Sequence, residues 1–85
     1  MPSIRHLVLD VLKPHQPNTL EFALALARLD SGYRVQVEVS EVDEHTETLV
    51  VTLDGESLDF EQITAAIEKN GGSLHSIDEV VAHGE

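Results

Sequence analysis

An α+β sandwich of four strands and two helices, in the order β-α-β-β-α-β, is the fold that the 85-residue sequence predicts. Three observations carry it. Residues 5–13, RHLVLDVLK, alternate as a strand with apolar residues on both faces: Leu7, Leu9 and Val11 on one, and Val8 and Leu12 with His6 and Asp10 on the other. Two helix starts, at Asn18 and Asp59, each place a Glu or Gln three positions after a capping residue. Between those helices, residues 34–43 and 47–53 alternate apolar with polar, the pattern of half-buried strands.

Residues 1–3 are a lead-in. The first strand ends at Lys13-Pro14, because proline cannot donate to a ladder and restricts the residue before it. Apolar on both faces, this strand belongs in the middle of a sheet. Pro14-His15-Gln16-Pro17 is a stiff connector. Asn18 caps a helix over residues 19–29, with Glu21 as its capping-box partner. Leu20, Ala23, Leu24 and Ala27, joined by Phe22 and Leu26, give that helix a broad apolar face. Asp30-Ser31-Gly32 stops it, Gly32 being suited to a left-handed C-cap. In the second strand Val35, Val37 and Val39 face one way and Gln36, Glu38 and Ser40 the other. Glu44-His45-Thr46 is a hairpin turn without the Asn-Gly signal of the tightest type. The third strand sets Leu49, Val51 and Leu53 against Thr48, Val50 and Thr52, and Asp54-Gly55-Glu56 turns the chain. Asp59 is the second N-cap, with Gln62 as its reciprocal partner and Leu58 and Ile63 at the hydrophobic-staple positions. Phe60, Ile63, Ala66 and Ile67 form the buried stripe of that helix, which Asn70-Gly71-Gly72 ends. The last strand is residues 73–82.

Right-handed crossovers around a central hairpin assemble this order into one ferredoxin-like domain over residues 1–85, with sheet order 4-1-3-2 and both helices on one face. The other face is left open. Alternation suggests a register in which Glu38 lies opposite Thr52 and Ser40 opposite Val50. Parallel pairing of the first and third strands puts Asp10 beside Thr52, and antiparallel pairing of the last strand puts Ser76 near Asp10 and Asp78 near Val8. The open face then carries Val8, Leu12, Val50 and Val80, a patch more apolar than a monomer ordinarily exposes. The expected partner is another copy of the chain.

Charge excludes some classes of function. Sixteen acids against five Lys and Arg give −11, and nucleic-acid binding needs clustered cations instead. Such a surface suits high salt, where carboxylates are screened. No cysteine is present, which removes disulfides, zinc–thiolate centres and thiol catalysis. No apolar run reaches the roughly 18–20 residues of a membrane span, and no signal-peptide pattern opens the chain. A cytoplasmic protein with no membrane partner is expected.

The candidate chemistry is thin. Asp10, Glu38 and Asp78 converge on the open face in the suggested register, with Thr52 and Ser76 between them, and such hard oxygen ligands suit Ca²⁺ or Mg²⁺. The acidic turn at residues 41–47 lacks the glycine and spacing of an EF-hand. In a strand, His75 faces away from Ser76 and Asp78, so no Ser-His-Asp relay forms there. The five histidines are too scattered for a zinc signature. Asn70-Gly71-Gly72 is a helix stop and not a phosphate-binding helix start. Phe22, Phe60 and Tyr33 lie off the central strands, so the aromatic platform that stacks RNA bases is missing. No catalytic residue is assigned, and the expectation is a protein that is not an enzyme.

LVLDVLKP at residues 7–14, EVDEHTE at 41–47, LDFEQI at 58–63 and GGSLHSIDEVVAHG at 71–84 together resemble the archaeal DUF211 family over nearly the whole chain. The resemblance implies a ferredoxin-like subunit, homo-oligomers or rings, no established biochemical activity and bound divalent cations without assigned ligands. The acidity of this copy is consistent with a salt-loving archaeon. A second reading is a small-molecule sensor similar to the ACT domains, which share the element order and bind amino acids between subunits. Prolines stand in the first connector here, where those domains favour glycine.

Overall fold

Alternation in the first strand becomes two faces of different character. Leu7, Leu9 and Val11 are sealed from solvent, whereas Val8 and Asp10 are half-buried and Leu12 is exposed. The structure, a computed structural model, describes residues 1–84. Its elements are β1 (Ser3–Pro14), α1 (Thr19–Ala27), β2 (Arg34–Val42), β3 (Thr46–Asp54), α2 (Phe60–Lys69) and β4 (Ser73–His83). The strands form one sheet in the order β2-β3-β1-β4, with β1 central as expected and both helices on one face. Leu7, Leu9 and Val11 of β1 and Leu49, Val51 and Leu53 of β3 meet Phe22, Leu26, Leu58, Ile63 and Ile67 in the core.

Every neighbouring pair of strands is antiparallel, which corrects the parallel pairing expected of β1 and β3. A right-handed β1-α1-β2 crossover leaves β2 parallel to β1 with a gap between them. The hairpin then returns β3 into that gap, running against both. Val8 therefore pairs with Thr52, and Asp10 with Val50. In the hairpin Glu38 pairs with Val50 and not with Thr52, and Ser40 is the extra residue of a bulge between Val39 and Glu41.

β4 holds to its expected register at Asp10–Ser76 and departs from it on either side. His75 and Asp78 are each extra residues where the register shifts, and Arg5 is a third on β1. Each extra residue reverses the alternation. Val80 is therefore paired with Leu7 on the helix side of the sheet, and Val81 takes the open-face place opposite His6.

The helix ends explain most of the local fit. Asn18 and Glu21 close a reciprocal capping box, Glu21 N donating to Asn18 Oδ1 at 2.8 Å and Asn18 N to Glu21 Oε1 at 3.2 Å. Asp59 caps α2 by accepting from Gln62 N at 3.1 Å. The return bond expected from Gln62 is replaced, because Asp59 N donates to the Tyr33 hydroxyl at 2.9 Å. At the end of α2, Gly72 N donates to Ile67 O at 2.8 Å and Gly71 N to Glu68 O at 3.0 Å, the paired bonds of a Schellman motif. Gly71 supplies the positive φ of 86° that this motif needs. Gly32 does not have that conformation. α1 ends earlier, at Ala27, and Gly32 N donates to Asp30 Oδ1 at 2.8 Å in an Asx turn.

α1 is rotated from the expected face. Phe22 and Leu26 are buried, while Leu20 is 68% and Leu24 44% exposed. A helix reading TLEFALALA is apolar almost all round, so its periodicity does not set a phase. Burying the larger Phe22 side chain decides it.

Candidate functional site

Residues facing each other across an antiparallel sheet share a face, so the open side can be read as rows. Across β2-β3-β1-β4 these are Arg34–Asp54–His6–Val81, Gln36–Thr52–Val8–Glu79, Glu38–Val50–Asp10–Ser76 and Glu41–Thr48–Leu12–Ser73. An apolar centre of Val8, Val50 and Leu12 thus sits between polar edge strands.

His6 ties three strands together. Its Nδ1 donates to Asp54 Oδ1 at 2.6 Å and its Nε2 to Glu79 Oε1 at 2.7 Å. Ionised carboxylates only accept, so the ring serves both only as imidazolium. The hydrogen bond to Asp54, and then that to Glu79, hold its pKa above the usual histidine value. Arg34 Nη1 adds a longer contact to Asp54, 3.8 Å from Oδ2.

Asp10 stands in the middle of the face. Its Oδ1 is buried and has no hydrogen-bond partner. The neighbouring donor is turned away, since Ser76 Oγ donates to Asp78 Oδ1 at 2.7 Å. Asp10, Leu12, Thr48 and His75 line a cavity of about 180 Å³. His75 reaches it because it is the extra residue beside Ser76, and strict alternation would have sent it to the other face. A larger cavity of about 290 Å³, lined by Asp30, Gly32, Tyr33, Glu56 and Ser57, lies where α1 ends and the chain approaches α2.

Asp10, Glu38 and Asp78 are not gathered into one ligand set. Asp10 and Glu38 share a row with Val50 between them, about 10 Å apart at two strand spacings. Asp78 occupies the bulge and is bonded to Ser76. Among the described residues no three His, Cys, Asp or Glu side chains are grouped to hold a metal ion. Of the expected apolar patch, Val8, Leu12 and Val50 share the open face and Val80 does not.

The structure adds a buried charge that sequence reading missed. Lys13 is 1% exposed. Its Nζ donates to Pro17 O at 2.6 Å, to Pro14 O at 2.9 Å and to Glu47 Oε1 at 2.9 Å, which uses all three protons. His15 Nδ1 donates to Glu47 Oε2 at 3.1 Å, and its Nε2 points at the carbonyls of Asp43 at 3.1 Å and Glu44 at 3.0 Å. Here too both nitrogens face acceptors. The Glu47 hydrogen bond, then that to the Glu44 backbone, raise the His15 pKa. Bonds from Lys13, then His15, lower that of Glu47. The clasp pins the β2–β3 turn to the β1–α1 connector. The signal for it was in the sequence: Lys13 is in phase with Leu7, Leu9 and Val11, and so on the core face.

Among the described residues no helix is long and apolar enough to cross a membrane. The chain matches the DUF211 family, described as Uncharacterized ArCR, over residues 5–85. It is also similar to an uncharacterized protein of Methanocaldococcus jannaschii, 49% identical over 82 residues that cover 96% of this chain and 84% of the relative.

Proposed function

The chain belongs to the DUF211 family, and from that premise we propose that it is a non-enzymatic, cytoplasmic homo-oligomer whose open sheet face meets a second copy. One observation carries this reading. Val8, Val50 and Leu12 lie on the two inner strands around Asp10, on the face opposite the helices, with Leu12 41% exposed. Nucleic acid is a poor occupant for a chain of net charge −11. A second copy supplies a matching apolar centre, and salt screens the repulsion between the two acidic rims. Pairing of the same patch on both copies is isologous and closes at a dimer, whereas a heterologous contact closes a ring only where the rotation between copies closes.

Light scattering after size exclusion, across a salt series, tests the proposal. The expected outcome is an oligomer that Val50→Asp or Leu12→Asp reduces to a monomer without loss of cooperative melting. A monomeric wild type at every salt concentration overturns it. A chelator arm reads whether a divalent cation, Ca²⁺ or Mg²⁺, contributes. With no ligand trio within one chain among the described residues, such an ion would draw its ligands from more than one copy.

A further inference from the structure

The β1–α1 connector and the β2–β3 turn come from distant parts of the chain, and the His15 ring stands between them. Its Nδ1 lies 3.1 Å from Glu47 Oε2, and its Nε2 lies 3.1 Å from the Asp43 carbonyl oxygen and 3.0 Å from that of Glu44. All three neighbours accept and none donates, so the ring serves both sides only while each nitrogen carries a proton. A neutral imidazole has one N–H and one lone pair. In either tautomer the lone pair then faces an oxygen at hydrogen-bond distance.

We propose that His15 is a proton-operated latch, which as imidazolium holds the β2–β3 turn against the connector and as neutral imidazole lets the turn go. The side that opens follows from the partners. Glu47 is an anion on β3 with 17% of its side chain exposed, and Lys13 holds its other oxygen at 2.9 Å. The bond from Nδ1 to it is charge-assisted, so the remaining proton stays on Nδ1. Nε2 then turns a lone pair on two carbonyls of a turn whose Asp43, Glu44 and His45 are exposed. Water takes the place of the lost donor, and the turn swings free.

The surroundings favour the charged ring. On β1, Lys13 is a cation whose three protons are spent on Glu47 and on the Pro14 and Pro17 carbonyls. The turn brings the carboxylates of Asp43 and Glu44, and His45, whose Nε2 lies 3.4 Å from Glu44 Oε1. At the start of α1, Glu21 is bound to the Asn18 backbone. At the end of α2 the uncharged Gly71 stands against Pro14, after Glu68 and Lys69 of opposite sign. The bond to Glu47, and then that to the Glu44 backbone, raise the His15 pKa above 6.5. The latch is therefore closed below pH 6.5 and opens as pH rises through the raised value. All of these contacts lie within one chain, so the proposal does not rest on the association proposed above.

NMR on the full chain across a pH series tests it. Ring ¹⁵N signals read the protonation and tautomer of His15, and backbone order parameters at residues 43–46 read the turn. The ring is expected to titrate above pH 6.5 and to keep its last proton on Nδ1. The order parameters should fall from about 0.85 to about 0.6 with the same midpoint. His45→Gln should leave this transition unchanged. His15→Gln keeps the Lys13–Glu47 pair but carries its donors on one nitrogen, and should hold the turn at the low value at every pH. Glu47→Gln keeps an acceptor for Lys13 without the charge, and should move the midpoint down toward 6.5. His15→Gln decides the matter where Glu47→Gln fails to fold. A turn equally ordered at both ends of the series overturns the proposal. So does a transition that persists in folded His15→Gln, that vanishes in His45→Gln, or whose midpoint is unmoved in folded Glu47→Gln. Light scattering on the same samples fixes the oligomer mass, so that a change in association is not read as a change in the turn.

Discussion

Lys13 is a charge held in the core by complete use of its protons. Removing one partner of such a pair strands the other. Glu47→Leu is expected to lower stability by about 3 kcal/mol, read from urea unfolding, and adding Lys13→Met should restore most of the loss. The signs of the pH dependence differ between the clasp and the His6 bridge. Glu47 has a lowered pKa, so its contribution is present above its ordinary value of 4.5 and is lost as pH falls through the lowered one. His6 has a raised pKa, so its contribution is complete below 6.5 and is lost as pH rises through the raised value. The stability difference between wild type and His6→Gln should therefore be largest below pH 6.5 and shrink above it, as paired thermal melts would report. A difference that grows with pH would contradict the doubly donating ring.

At the scale of elements, the caps are where short-range chemistry fixes long-range geometry. Gly71→Ala, at a φ of 86°, is expected to cost more than about 1 kcal/mol. Asn18→Ala should cost about 1 kcal/mol by opening the capping box of α1, and chemical denaturation measures both. These ends were legible in the sequence, because capping depends on residues three positions apart. The phase of α1 was not, since leucine, alanine and phenylalanine on every side leave its rotation to the volumes it meets. The path of β4 was legible only at Ser76. Two extra residues, His75 and Asp78, each turn the pattern over, and nothing in SLHSIDEVV announces them. The candidate site suffered accordingly: Asp10 and Ser76 were placed together, Val80 was put on the wrong face, and His75 was sent away from a cavity it lines.

The whole molecule is a thin acidic plate, 45 × 23 × 17 Å. Its element order and the central place of β1 follow from turn residues and from a strand apolar on both sides. The direction of β3 required the crossover geometry as well. Sixteen acids on so small a body repel one another, and the melting temperature is expected to climb as potassium chloride is raised toward molar concentrations. Calorimetry across that series checks it, and a flat response would mean that the acids are spaced widely enough to ignore each other.

Both outer strands of the sheet, β2 and β4, carry irregularities, at Ser40 and at His75 and Asp78. An incoming segment trying to zip along either border would lose step within a few residues. The folded chain is therefore a poor template for fibrils, and copies at high concentration are steered away from endless stacking.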